Sequence, residues 1–295
     1  KALVPAMFPA PSSLVLSAGA PVEPGTKPDA ESGAESPEVS GEPSLRLPLK
    51  LIVGSVFSLH AAQASPALKL IVLAQTREGY GNLCEFITLG RRRAPKGDYY
   101  LTTKDITCPE SSDPSLAHLR SLPDCLGLLV PEYCAPYEQV LAQAQWLAQA
   151  FAGRCWLVLS LLHQGQDAEH KRMLMAVSEA TGVPLVAAGH VQMHVRSRKP
   201  VHDTLTAIRL GKSVQDCGFS RSSNGEQHLR QRVTLARLYP LAALQQTIEV
   251  MLQCSFSLHE LKYQYPDHIC PTDMTPTAYL RQETYAGAQR RFFED

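Results

Sequence analysis

Cys155-Trp156-Leu157-Val158-Leu159-Ser160-Leu161-Leu162 is the stretch on which the fold turns. Seven of its eight residues are apolar, with no helical spacing between polar and apolar positions. A run this short and continuous reads as a strand covered on both faces, as in a parallel sheet or barrel. On its N-terminal side, Tyr137–Phe151 places Val140, Leu141, Trp146 and Leu147 at helical intervals, with Gly153 as a stop. On its C-terminal side, Ala168–Ala180 repeats the pattern, with Gly182 as its stop. Helix, buried strand and helix in succession define an α/β layer or barrel.

The same alternation extends outward. Leu49–Phe57, Leu68–Gln75, Leu126–Pro131 and Pro184–Val191 are further strand candidates. Glu78–Arg93 reads as a helix carrying Leu83, Phe86, Ile87 and Leu89, and its basic end suits a helix C-terminus. Beyond residue 200 the strands fade. Val201–Gly211, Glu226–Leu238, Leu241–Gln253 and Thr275–Phe292 are expected to be helical, with Thr275 as N-cap and Pro276 at the first helical position. Residues 1–44 are rich in Pro, Ala, Ser, Gly and Glu, as in Glu31-Ser32-Gly33-Ala34-Glu35-Ser36-Pro37. Too little apolar surface is present there to offset the ordering entropy, so a disordered low-complexity tail is expected.

The 295 residues suffice for one large domain or two small ones, and 44% hydrophobic content supplies a core. With 28 basic and 28 acidic residues, no overall field draws the chain to nucleic acid or an anionic membrane. Such contacts must come from local patches. The eight cysteines form no C-x-x-C pair, which argues against a zinc ribbon and leaves free thiols in a reducing compartment. No apolar run approaches the ~20 residues of a membrane span. No secretory signal is evident, so a cytoplasmic location and no membrane partner are expected.

Two features carry chemistry. Gly189-His190-Val191-Gln192-Met193-His194 follows a buried-strand pattern, where α/β enzymes place catalytic groups. His190, His194 and His202 are candidate metal ligands, with Asp203 beside them; the alternative is a set of loop and surface histidines without an ion. The second feature is basic. Arg91, Arg92, Arg93 and Lys96, with Arg196, Arg198 and Lys199, are candidates for phosphate contact, the alternative being helix-end charge or a solvated face. The glycines of Arg77-Glu78-Gly79-Tyr80-Gly81-Asn82-Leu83 permit close backbone approach or positive φ, but no Walker phosphate loop and no serine nucleophile elbow is present.

Several of these stretches together resemble one family. Glu78-Gly79-Tyr80-Gly81-Asn82-Leu83 is followed by Ile87-Thr88-Leu89-Gly90-Arg91-Arg92-Arg93-Ala94-Pro95-Lys96-Gly97. Met193-His194-Val195-Arg196-Ser197-Arg198-Lys199-Pro200 precedes Asp203-Thr204-Leu205-Thr206-Ala207-Ile208-Arg209-Leu210-Gly211. Leu235-Ala236-Arg237-Leu238-Tyr239-Pro240 and Phe256-Ser257-Leu258-His259-Glu260-Leu261 continue in order. From about residue 49 to 295 the chain resembles the error-prone, damage-tolerance branch of the bacterial C-family DNA polymerases, the class of the polymerase III alpha subunit.

The resemblance implies an incomplete phosphoesterase-type (PHP) distorted βα barrel over residues 45–215, then a helical connector over 216–295 leading toward a palm. Two early barrel strands, one bearing histidine and one bearing Thr-Asp, have no counterpart in residues 1–44. The palm carboxylates that hold two Mg2+ ions for nucleotidyl transfer are likewise expected beyond this chain, so no catalytic residue is assigned within it. Against the family's metal site the chain departs at three places: Val56 stands for Glu, Ser160 for an acidic residue, and His190-x-Gln192 for Asp-x-His. Each change removes a ligand, so no cofactor is expected in this chain and the metal site is read as degenerate. The expected role is a structural platform within a DNA-directed DNA polymerase for damage-induced translesion synthesis. Its partners would be DNA, the other polymerase domains and further damage-tolerance proteins. The alternatives are a stand-alone metal-dependent phosphoesterase using His190, His194 and His202, or a non-catalytic interaction module.

Overall fold

The computed structural model describes residues 50–60, 67–262 and 270–292. The expected low-complexity tail lies outside them. Five strands form one sheet in the order β1 (Gly54–Leu59), β2 (Leu68–Ala74), β3 (Cys125–Val130), β4 (Cys155–Leu159) and β5 (Leu185–Ala187). The helices are α1 (Arg77–Arg92), α2 (Lys104–Thr107), α3 (Tyr137–Ala150), α4 (Asp167–Thr181), α5 (Lys199–Leu210), α6 (Arg232–Leu238), α7 (Leu241–Gln253) and α8 (Pro276–Phe292). The described residues pack as two units that divide between Ser257 and Leu258. The sheet and α1–α7 belong to the first unit; α8 belongs to the second.

The protein is thus a mixed α/β structure whose elements after β5 are helical or irregular. The sheet is mixed rather than wholly parallel: β1–β2 and β2–β3 pair antiparallel, while β3–β4 and β4–β5 pair parallel. Only residues 60–67 separate β1 from β2. A parallel pair needs a crossover of roughly a dozen residues or more, so so short a link permits only the antiparallel arrangement. Around α3 and α4 the links are full helices, and there the parallel expectation holds. β4 is buried at every position, as its continuous apolar run requires, whereas β2 alternates between buried and half-buried positions.

One face of the sheet carries Phe57, Leu59, Leu70, Val72, Leu129, Leu157 and Leu159 into the main core, with Leu83 and Phe86 of α1, Val140 and Leu147 of α3, and Leu174 of α4. Phe57 and Phe86 meet edge to face at 5.1 Å. The opposite face carries Leu126, Leu128, Trp156, Val158 and Val186, covered by Val250 of α7 and Cys254. Trp156 donates its indole N–H to Gln246 Oε1 at 2.7 Å, so the buried ring leaves no unpaired donor.

The turn before β3 is fastened from two sides. Ser121, Leu122 and Asp124 all have positive φ. The Arg154 guanidinium donates to the carbonyls of Ser121 (3.0 Å), Leu122 (3.1 Å) and Cys125. From the other side, Gln75 N–H donates to Asp124 O at 2.9 Å and Asn82 donates to Pro123 O at 3.0 Å. At Gly79 the helix comes so close that an added Cβ would stand 1.9 Å from Asp124 O. Gly81 has open space at the same test.

Helix limits follow the chemistry of the ends. Thr76 caps α1 by accepting from Gly79 N–H at 3.1 Å, and Thr275 caps α8 by accepting from Ala278 N–H at 3.3 Å. Gly182 and Gly211 end α4 and α5 in the left-handed region. The helix expected over Glu226–Leu238 shortens to α6, Arg232–Leu238. Residues 226–231 instead lie beside the loop after β5: Gln192 and Met193 N–H groups donate to Gln227 O, and Leu229 N–H donates to Met193 O at 3.2 Å. Those pairings, with Glu226 buried, outcompete helical continuation.

The cysteines are all free; Cys125, Cys155, Cys217 and Cys254 are buried. Burial pushes the Cys125 thiol up to about 12, so it stays protonated and donates to Gly79 O at 3.2 Å. No helix among the described residues is long and apolar enough to cross a membrane.

The two α1 glycines should therefore respond oppositely to substitution. Gly79→Ala is expected to destabilise the protein by about 1–3 kcal/mol through overpacking. Gly81→Ala should be neutral or stabilising by up to about 1 kcal/mol through helix propensity. Denaturant midpoints of the two variants check this; equal shifts would refute the close-contact account.

Candidate functional site

The loop after β5 begins at Ala188-Gly189 and turns at His190, whose φ of 44° lies in the left-handed region. Gln227 Nε2 donates to His190 Nδ1 at 3.3 Å, which places the neutral ring's proton on Nε2. Lys69 and His202 both lie close enough for their charge to act on His190. Loss of hydration, then Lys69, then His202 hold its imidazole below the usual histidine range. Lys69 projects from the N-terminal end of β2, opposite Ser58 of β1 and Val130 of β3, and its partial burial lowers its own pKa.

The three histidines do not assemble. His194 is exposed and, among the described residues, makes no hydrogen bond or ion pair with the other two. His202 sits in α5 with its Nδ1 buried and, among the described residues, without a hydrogen-bond partner. Asp203 is buried but already bound to Lys199 Nζ at 2.6 Å. Val56 pairs with Ile71 in the β1–β2 register and offers no donor atom. Among the described residues, no three His, Cys, Asp or Glu side chains are gathered where an ion could sit. A divalent cluster needs several anionic or imidazole ligands around it, and the donors here, beside a lysine, do not fit one.

The basic candidates divide by their partners. Arg91 donates to Gly97 O (3.0 Å) and Asp98 O (3.2 Å) and lies 5.8 Å from the Tyr99 ring centroid. Arg93 binds Asp105 at 2.6 Å, whose other oxygen accepts from Thr102 N–H and Oγ1. Arg196 pairs with Glu226, and Lys199 with Asp203. These four hold the local fold. Arg92, Lys96 and Arg198 are exposed, and no side-chain hydrogen bond or ion pair engages them among the described residues. The structure thus leaves three of the seven free to meet a phosphate, on two separate segments.

Sequence reasoning missed Lys69. Its signal was a single cation inside the apolar run Leu68–Gln75, a place where a charge needs a reason. It also missed Glu226 and Arg230, which lie in the stretch misread as helix. Both are buried, and Arg230 Nη1 donates to Leu161 O at 2.9 Å.

The fold and these sites describe a mixed α/β protein of neutral net charge, with solvent-facing cations and a histidine loop poor in ligands. No family model matches the chain. Curated proteins do. It is 52% identical over 246 residues to the error-prone DNA polymerase of Bordetella parapertussis, 47% over 248 residues to that of Ralstonia pickettii, and 39% over 268 residues to that of an Azoarcus species. The first two alignments each cover 83% of this chain and 23% of the relative; the third covers 90% and 24%. The chain is similar to part of these error-prone DNA polymerases, and it spans about a quarter of the length of the curated relatives it matches.

If Lys69 sets the charge at the histidine loop, Lys69→Met should raise the His190 titration midpoint part of the way back toward about 6.5. Ring-carbon NMR against pH reads this directly, and His118, across the chain at Glu85, serves as the unshifted control. An unchanged His190 midpoint would show that Lys69 does not act on it.

Proposed function

We propose that this chain supplies a supporting region of an error-prone DNA polymerase, whose parent carries out template-directed nucleotidyl transfer past DNA lesions. The observation that carries this reading is the 52% identity over 246 residues to a polymerase of which those residues are 23%. In this reading the sheet and its helices, residues 45–215, correspond to a PHP-type βα barrel, and residues 216–295 lead on toward a palm. Nucleotide addition and its Mg2+ ions belong to the parent's palm rather than to His190, His194 or His202. The ligand-poor histidine loop supports a supporting rather than a hydrolytic role. Arg92, Lys96 and Arg198 are the side chains best placed to touch DNA phosphates. Work on DNA past lesions also fits a cytoplasmic setting and contact with other damage-tolerance proteins.

A face suited to the remaining polymerase lies on α5. Val201, Leu205 and Ile208 are 48%, 61% and 70% exposed. At four- and three-residue intervals they form one apolar stripe, while Asp203, Thr206 and Ala207 face inward. An exposed stripe of this kind is suited to packing against another domain.

The test uses a full-length chimera in which this chain replaces the matching region of the Bordetella parapertussis polymerase. Primer extension is expected to persist. Adding Leu205→Asp and Ile208→Asp should lower the chimera's thermal midpoint by several degrees, from about 1.5–3 kcal/mol lost per buried side chain. The same pair should leave the isolated chain's midpoint unchanged. An inactive but folded chimera, or equal effects in both contexts, would count against the reading.

A further inference from the structure

A cavity of about 480 Å3 opens between the loop after β4, the loop after β5 and the segment before α6. His163, Arg196, Glu226, His228 and Arg230 line it. None of the sequence motifs was assigned to it, and it shares only Arg196 with the basic candidates.

The cavity is built rather than incidental. Asn224 donates to Leu162 O at 2.6 Å and accepts from Glu226 N–H at 3.0 Å, tying the wall segment to the end of β4. Gly225 leaves room for the Arg196 stem: a Cβ there would stand 2.9 Å from Arg196 Cγ. The Arg230 side chain is only 3% exposed and donates to Leu161 O (2.9 Å) and Glu226 O (3.1 Å). Its Nε is buried and has no hydrogen-bond partner among the described residues. A buried guanidinium N–H without an acceptor is costly, and an incoming anion would satisfy it. His228 donates Nδ1–H to Gly225 O at 2.8 Å, which leaves Nε2 as its remaining polar atom. His163 is exposed, held at φ 53°.

Charge decides the ligand class. Arg196 and Arg230 outnumber the single carboxylate, Glu226, which pairs with Arg196 and lies 3.7 Å from Arg230. The lining is net cationic by one charge before either histidine is protonated. Guanidinium groups with neighbouring imidazoles match the acceptor-only, tetrahedral surface of phosphate. The geometry points to this cavity as a phosphate-binding site, in which a phosphate group displaces Glu226 from Arg196 and is held by Arg196, His228 and the Arg230 edge. This inference is independent of the platform reading, because it requires only these side chains and not the parent's activity.

Histidine-detected NMR of the full 295-residue chain, titrated separately with inorganic phosphate and with a short single-stranded oligothymidylate, tests it. Saturable shifts at His228 and His163 are expected, with His118 unmoved. Arg196→Gln should weaken binding about tenfold, the scale of one charge-assisted hydrogen bond. Glu226→Gln, which keeps the shape and removes the competing charge, should tighten binding several-fold. The opposed directions keep the test decisive if one variant folds poorly. Binding of the oligonucleotide that is displaced by phosphate identifies a nucleic-acid backbone as the source; binding of phosphate alone identifies the free ion. No saturable shift with either probe, or binding indifferent to both substitutions, would overturn the inference.

Discussion

The approach of α1 to the turn before β3 fixes the rest of the molecule. Where residue 79 would carry a Cβ, the Asp124 carbonyl stands instead. That carbonyl accepts from Gln75, while Arg154 gathers three carbonyls of the same turn from beneath. Three non-glycine residues there sit at positive φ, each costing on the order of 1–3 kcal/mol. Charge-assisted bonds of about 1.5–3 kcal/mol apiece from one guanidinium offset much of that strain. The turn is thereby locked, and with it the register in which β3 joins β2 on one side and β4 on the other.

That register decides what each sheet face presents. The face toward α1, α3 and α4 is apolar throughout and supplies the main core. The other face is covered by α7 around Trp156 and Val186, but toward β1 it presents Val56, Ser58 and Lys69. A cation rather than a carboxylate stands on this open part, and it depresses the neighbouring imidazole's proton affinity. The local electrostatics therefore disfavour a second cation there. The basic residues follow a similar logic: Arg93 and Lys199 are tied to buried carboxylates, and only cations without such partners remain for solvent.

The α/β class and all five strands were legible because apolar runs and glycine stops report burial and chain reversal directly. The ends at Gly182 and Gly211 were legible for the same reason, and Thr275 as an N-cap before Pro276; the Thr76 cap of α1 was not read. The antiparallel half of the sheet was not, because the pattern of a buried strand does not encode its partner's direction; the short link at 60–67 dictates it for β1–β2 only, and β2–β3 pair antiparallel across the longer link that carries α1. Residues 226–231 misled because Glu226 and Arg230 have helical spacing, yet their partners, Arg196 and Leu161, lie far away in sequence. The basic clusters were visible as charge, but whether Arg91 or Arg92 faced solvent depended on carbonyls and a ring that only folding brings near. That Val56 and Gln192 stand where the resembled family carries ligands is an expectation from resemblance alone, whereas the place of Lys69 on the sheet required the strand register.

The account rests on a histidine loop around which, among the described residues, no three His, Cys, Asp or Glu side chains gather, in a protein proposed to support polymerisation performed elsewhere. Calorimetric titration of the full chain with Mn2+ and Zn2+, followed by NMR of the His190 and His202 rings, tests that most directly. The account predicts no saturable uptake that perturbs both rings. Stoichiometric uptake with concerted shifts at His190 and His202 would contradict it.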